Sequence, residues 1–257
     1  MSDIHATAVV DPAAIIGEDC KIGPYCVIGP HVTLGGGCEL HSHVVIDGRT
    51  ELGEANIIYP HACIGLRSQD LKWTGGTTWT RVGSHNTIRE HVTIHSATGD
   101  GDATVIGSHN NFLAYTHVAH DCQLGDHIIM SNVATLAGHV EVADRAIIGG
   151  LAAVHQFCRI GTMSIIGGCS KVVQDVPPFM MADGNPTATR ALNREGLKRN
   201  NVSEESQQAL KQAHRVLFRE NLTFTKGVEK ARAEVTLTDE VLHLLKFVES
   251  SERGIAR

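Results

Sequence analysis

Ile16-Gly17-Glu18-Asp19-Cys20-Lys21, Ile22-Gly23-Pro24-Tyr25-Cys26-Val27 and Ile28-Gly29-Pro30-His31-Val32-Thr33 are three consecutive hexads, each opening on isoleucine and glycine. Their reading decides the fold. Stepping by six from Ile4 meets a large aliphatic residue at every position up to Ile64. The frame resumes at Val82, Ile88 and Ile94, and again from Ile106 through Phe112, Val118, Leu124 and Met130 to Val172. Neither the helical period nor strand alternation generates a period of six. A three-sided coil that turns a corner every six residues does, and its successive turns would lie about 4.8 Å apart, the spacing of paired strands.

Two further slots repeat in the same frame. The residue after the aliphatic one is often glycine (Gly17, Gly23, Gly29, Gly35, Gly53, Gly149), which suggests a corner with unusual backbone angles. Four residues after it stands a small or branched side chain. Five of the seven cysteines (Cys20, Cys26, Cys38, Cys122, Cys158) fall in that slot and read as inward packers. Segments 65–81 and 95–105 interrupt the pattern without shifting its frame, so they read as loops projecting from intact coils.

Composition agrees with a repeating coil. Apolar residues make up 42% of the 257, but aromatics only 4%, against 26 glycines, which suits a core of small and branched side chains close to backbone. The net charge of −6 gives no support for nucleic acid as a partner. No run of about 18 apolar residues and no cationic, apolar leader occurs, so no membrane span and a cytoplasmic location are expected. Seven cysteines without a Cys-x-x-Cys pair indicate neither a disulfide framework nor a zinc ribbon.

Beyond Pro177-Pro178 the period stops. Residues 1–190 are assigned to the coil and 191–257 to an α-helical domain. Ser203 is a suitable N-cap for a helix to about Glu220 with Ala209, Leu210, Ala213, Val216 and Leu217 on one face. A second helix is expected over 227–235. A third should open at Thr238 with Val241, Leu242, Leu245 and Val248 inward. From Arg190 to Arg232 ten Lys or Arg stand against five Glu, a basic surface suited to phosphates or an acidic protein.

The chemistry centres on His117-Val118-Ala119-His120-Asp121-Cys122. An eighteen-residue turn puts His120, Gly138 and Gln156 in one column and Asp121 and His139 in another. Imidazole is the natural base for a hydroxyl nucleophile near neutral pH, and the adjacent carboxylate can orient it. A glycine in the column lets another molecule approach the backbone, whose N–H can face an oxyanion. This pattern describes acyl transfer. A covalent route through Cys122 stays open, although that thiol falls in the inward slot.

The hexads resemble those of the hexapeptide-repeat acyltransferases, whose fold is a left-handed parallel β-helix, an exception to right-handed crossovers. Further blocks are more specific: Gln69-Asp70-Leu71-Lys72, Ile94-His95, the His117–Cys122 stretch, Thr135-Leu136-Ala137-Gly138-His139-Val140, Val154-His155-Gln156-Phe157, Gln174-Asp175-Val176-Pro177-Pro178 and Glu195-Gly196-Leu197-Lys198-Arg199. Together they resemble the UDP-N-acetylglucosamine O-acyltransferase family over essentially the whole chain. The resemblance implies a mainly β protein, a left-handed parallel β-helix with a C-terminal α-helical domain. It also implies transfer of a 3-hydroxyacyl group from acyl carrier protein to the 3-hydroxyl of UDP-N-acetylglucosamine, at the start of lipid A biosynthesis. A homotrimer with sites between subunits is implied, with no metal and no cofactor beyond the carrier's phosphopantetheine.

Carried over by position, His120 matches the general base, Asp121 its partner and Gly138 the oxyanion donor. Asp70, Lys72, His95, His117, His139 and Gln156 match contacts to the nucleotide sugar or acyl group, with Gln69 beside them. His155, Asn193, Glu195 and Arg199 match nucleotide and phosphate contacts, and Gly168 matches the position that sets acyl length. One departure is Asn200, where the family often has a further Arg that can touch the carrier. Two other readings belong to the same fold. The sibling N-acyltransferase carries an additional N-terminal domain, whereas here hexads begin at Ile4. A zinc-dependent carbonic anhydrase would use histidines between subunits, and 16 histidines keep that reading in play.

Overall fold

A computed structural model describes residues 2–257. Short strands follow one another around three faces of a parallel β-helix, as the period of six predicts, and its hand is left, as the resemblance implies. The three faces are sheets of 11, 9 and 8 strands, and each coil contributes one strand to each in turn. Pairing is in register at eighteen-residue steps where no loop intervenes, as for His117↔Thr135 and Val118↔Leu136. The hexad residues from Ile22 to Val172 point inward and are at most 5% exposed. Ile4 at the open lower end is 44% exposed because no coil lies beneath it. Each fully buried aliphatic side chain contributes about 1.5–3 kcal/mol, and the repeat supplies one per side of every coil.

The glycine slot has a different cause from the one expected. Left-handed backbone angles fall two residues later, on Tyr25 (φ 60°), His43 (φ 60°), Asp121 (φ 62°) and Val133 (φ 64°). Most of the slot glycines have ordinary angles. They are small because coils stack so closely that a Cβ on Gly17 would come 2.6 Å from the Gly36 nitrogen, and one on Gly149 2.6 Å from the Gly168 nitrogen.

The left-handed positions at each corner lie above one another and form files of rings. Tyr25, His43, His61, His91 and Tyr115 stack along the corner between the first and second faces, with centroids 4.6–5.0 Å apart. His85, His109 and His127 stack along another corner at 4.9 Å. In the inward slot of that corner stand three buried asparagines, Asn56, Asn86 and Asn110. The Asn86 carboxamide donates to Asn56 Oδ1 (3.0 Å) and Gly107 O (3.1 Å) and accepts from the Asn110 N–H (2.9 Å).

Both interruptions leave the second face and return on the third. The first runs from Cys63–Leu66 to Trp79–Val82, the second from Thr93–His95 to Ala103–Ile106. They project from one corner, and the coils beneath stay paired.

After Val172 an antiparallel pair, Met180–Asp183 with Ala188–Leu192, leads into four helices: α1 (Arg194–Arg199), α2 (Glu204–Arg219), α3 (Phe224–Glu234) and α4 (Asp239–Glu249). Asn193, Ser203, Thr223 and Thr238 cap them through side-chain oxygens. Helix α1 was not foreseen, and α3 begins at Phe224 rather than at residue 227. In α4 the inward set is Val241, Leu244, Leu245 and Val248, while Leu242 is 39% exposed. The correction follows from helical spacing, since positions 0, 3, 4 and 7 share a face and position 1 lies 100° away. These helices pack a second core that takes in Phe179, Met180 and Leu192.

Candidate active site

The strand His117–Val118 ends at the corner between the second and third faces, directly above the coil that carries the second loop. Val118 and Cys122 turn inward at 0% exposure. His120 and Asp121 occupy the corner, with side chains 13% and 8% exposed. The left-handed angle of Asp121 turns its carboxylate back toward the preceding residue, and His120 Nδ1 lies 2.8 Å from Asp121 Oδ2. A carboxylate only accepts, so Nδ1 carries the proton and the Nε2 lone pair is left free, the tautomer a general base requires.

The carboxylate is itself held. The Thr98 N–H donates to Asp121 Oδ1 at 3.1 Å, and the Asp121 N–H donates to Thr104 Oγ1 at 2.8 Å. Ser68 Oγ in the first loop bonds Thr98 Oγ1 at 2.7 Å, which couples the two loops to the orienting group.

The expected columns form. Gly138 lies above His120, and a Cβ there would come within 3.0 Å of Cε1, Nε2 and Nδ1 of the His120 ring. The space a side chain would fill is therefore taken by the imidazole of this chain. Among the described residues none accepts a hydrogen bond from the Gly138 N–H. His139 Nε2 lies 3.5 Å from Asp121 Oδ2, and its ring stacks on Phe157 at 4.7 Å. Gln156 completes the His120 column and is exposed.

His117 and His95 meet edge to face at 5.3 Å, and Thr93 Oγ1 bonds His117 Nδ1 at 2.7 Å. Burial, reinforced by His95 and His120, brings His117 down to about 4. Burial, then His120, also lowers His95, so both rings are neutral at pH 7. His95 Nδ1 is buried and finds no partner among the described residues, an arrangement that usually awaits a ligand or water. Asp70 and Lys72 lie on the loop from the same corner, where Asp70 Oδ1 accepts the Lys72 N–H at 2.9 Å. Gln69, Lys72 and His155 are exposed. Arg253 Nη2 lies 3.1 Å from His155 Nδ1. Arg253, Thr98, Thr104 and Ser68 were missed from the sequence; only Thr104 left a signal, since Thr50, Thr80 and Thr104 repeat in one frame position and pair across coils.

Other expected residues lie elsewhere in the same chain. Gly168 is exposed and follows Ile166 on the corner between the first and second faces. Asn193 and Glu195 line a cavity of about 980 Å³ with Ile165 and Met181 of the first face, opposite the His120 corner. The cations Arg190, Arg194, Lys211, Arg215 and Arg219 surround it. The Asn193 carboxamide is already engaged, capping α1 through the Gly196 N–H and donating to Met163 O. Arg199 ends α1 and is exposed, and Asn200 caps that helix by donating to Gly196 O at 2.8 Å. The departure at Asn200 thus has a local structural use.

Cys122 is unsuited to attack. Its thiol is buried, donates to Ala137 O, and burial pushes it up to about 12. Cys122→Ala is expected to keep kcat/KM for acyl transfer within about threefold of the parent, because so little thiolate is present at neutral pH. Loss of activity in a folded variant would reinstate the covalent route.

The family model described as Udp N-acetylglucosamine O-acyltransferase, domain 2, matches residues 175–256, and a GMPPB C-terminal domain model matches residues 4–99. The acyl-[acyl-carrier-protein]–UDP-N-acetylglucosamine O-acyltransferase of Thermodesulfovibrio yellowstonii is 49% identical over 100% of both chains. That of Verminephrobacter eiseniae is 45% identical, again over 100% of each. The solved structure of LpxA from Acinetobacter baumannii superposes with a TM-score of 0.95 at 44% identity, covering 99% of each chain. With agreement of this extent over both the repeat and the helices, the chain belongs to the acyl-[acyl-carrier-protein]–UDP-N-acetylglucosamine O-acyltransferase family.

Proposed function

We infer that the protein transfers a 3-hydroxyacyl group from acyl carrier protein to the 3-hydroxyl of UDP-N-acetylglucosamine, the first step of lipid A biosynthesis. The observation that carries this reading is the His120–Asp121 pair, with Nε2 free beside Gly138. Nε2 takes the sugar hydroxyl proton as that oxygen attacks the thioester carbonyl. The Gly138 N–H faces the developing oxyanion. When the C–S bond breaks, the imidazolium gives its proton to the departing thiolate sulfur, which leaves as the thiol. The donor arrives already activated as a thioester on phosphopantetheine, so no metal or redox cofactor takes part. Neutral His95 and His117, with Gln69, Asp70, Lys72, His139 and Gln156, line the path of the sugar and acyl group.

A homotrimer with sites between subunits fits the placement of the remaining groups. Asn193 and Glu195 lie on the face opposite His120, so they join a nucleotide site only if one copy supplies them and another supplies the base. His155 and Arg199 add nucleotide and phosphate contacts in this reading. The cations around that cavity suit an acidic carrier protein. Among the described residues no helix is long and apolar enough to cross a membrane, and a cytoplasmic location accords with a carrier-bound donor. Full-length relatives named as O-acyltransferases favour this reading over the sibling N-acyltransferase and the carbonic anhydrase.

Incubation with UDP-N-acetylglucosamine and 3-hydroxyacyl carrier proteins of several lengths, followed by mass analysis, should yield the 3-O-acylated nucleotide sugar. No product with any donor would overturn the reading. Gly168 is assigned to acyl-length selection, since an exposed residue without a side chain leaves room for a long chain. Gly168→Met should shift the preferred donor to a shorter one, changing the ratio of kcat/KM values by about tenfold or more. Unchanged selectivity would remove Gly168 from this role.

A further inference from the structure

We propose that His120, Asp121 and His139 form a chelating site for a divalent transition metal such as Zn2+, and that occupation switches the base off. The switch rests on the reading of His120 as the base; the site does not. One donor atom from each of the three residues lies within 4.8 Å of the other two. His120 Nδ1 and His139 Nε2 approach the same oxygen, Asp121 Oδ2, at 2.8 and 3.5 Å. Two imidazole nitrogens and one carboxylate oxygen are a borderline donor set. It suits Zn2+ or Ni2+ and disfavours Mg2+ and Ca2+, which take oxygen ligands.

All three donors lie within reach of one ion once the His120–Asp121 hydrogen bond opens to admit it. Bonds of about 2.0–2.1 Å in a tetrahedral site place donor atoms about 3.3 Å apart. The Nδ1–Oδ2 contact has to open slightly, while the Nε2–Oδ2 separation already fits. The backbone beneath is fixed, because the His139 N–H donates to the His120 carbonyl at 3.1 Å and Thr98 and Thr104 hold Asp121. Behind the donors lies a polar cavity of about 650 Å³, lined by Asp121, His139, Glu141 and Glu252 on the third-face side. A metal reaches the donors through it, and water or a carboxylate completes the fourth position.

Occupation acts through the tautomer. In the resting pair the ring proton is on Nδ1 and the Nε2 lone pair is free. A metal takes the Nδ1 lone pair, so the single proton of the neutral ring moves to Nε2. An Nε2–H cannot accept the proton of a sugar hydroxyl. The carboxylate that selects the active tautomer thereby also builds the chelate that imposes the inactive one.

Calorimetric titration of the metal-free protein with ZnCl2 should give one ion per chain. His139→Gln should weaken binding by at least about tenfold, as should the isosteric Asp121→Asn, whereas His109→Gln, in the exposed histidine file, should not. Circular dichroism of each variant would verify that it folds. In the parent, acyl transfer should fall in parallel with occupancy and return on adding EDTA. Equal affinity in the His139 and Asp121 variants, or no binding below about 100 µM, would overturn the site. Binding there with full activity would overturn the switch. Should the metal-free protein show no acyl transfer with any donor, the proposed function fails and the calorimetry still judges the site.

Discussion

His120→Ala is expected to lower kcat for acyl transfer by about 10²–10⁴-fold while KM for UDP-N-acetylglucosamine changes by no more than a few fold. The magnitude is that of a positioned general base, and a thousandfold loss corresponds to about 4 kcal/mol of transition-state stabilisation. The split between the two constants follows from where the ring sits. It stands at a corner, 13% exposed, pinned by Asp121 on one side and Gly138 on the other. Side chains from several other coils and from the first loop remain to bind the sugar. Alanine removes the proton acceptor and leaves those contacts in place. A folded variant that retains more than about a tenth of the parent kcat would show that another group takes the proton.

Asn86→Ala is expected to destabilise the protein by about 3 kcal/mol, seen as a melting temperature lower by roughly 6–12 °C in differential scanning calorimetry. Asn86 is 1% exposed and links three coils. Its loss leaves Asn56 Oδ1 and the Gly107 carbonyl each without one donor, and the buried Asn110 N–H without its acceptor. An orphaned buried polar group costs about 1–3 kcal/mol, more than the net gain from a satisfied one. Asn86→Leu separates this cause from a simple cavity. It restores volume but not the hydrogen bonds, so it should melt almost as early as the alanine variant. A leucine variant as stable as the parent would mean that packing alone matters in that slot.

The inward residues of the β-helix were legible because one constraint acts on all of them. A three-sided coil can bury a side chain only at fixed places, and the sequence repeats apolar residues there with a period no other element produces. The same period placed His120 beneath Gly138 and Asp121 beneath His139. It also carries the asparagine ladder, since Asn56, Asn86 and Asn110 fall in the slot otherwise held by small or branched residues, where a polar side chain gives no packing signal.

What the period does not govern was harder to see. Thr98 and Ser68 lie in the two loops, and Arg253 near the C-terminus, where no spacing relates them to the coil. The contacts of Thr98 with Asp121, of Ser68 with Thr98 and of Arg253 with His155 arise only from the folded path. The glycine slot was visible, but its cause was misassigned, because a glycine needed for close approach and one needed for backbone angle leave the same letter. The ordinary angle at Gly17 beside the left-handed Asp19 separates the two. Leu242 illustrates a different limit: a helix as leucine-rich as α4 offers two adjacent stripes, and the surface it meets decides which is buried.

The departure of both loops from a single corner bears on how such a chain can change length. A residue inserted within a coil would shift every following hexad, carrying inward side chains out and breaking the ring files and the asparagine ladder. A residue inserted between 67 and 78 or between 96 and 102 leaves the frame on either side untouched, because the chain exits and rejoins the coil at fixed points. The coil therefore tolerates insertions and deletions at this corner, provided that Ser68 and Thr98 keep the places from which they hold Asp121. The rim of the site can thus change in length through these loops, while the stacked coils beneath admit substitution but not change of length.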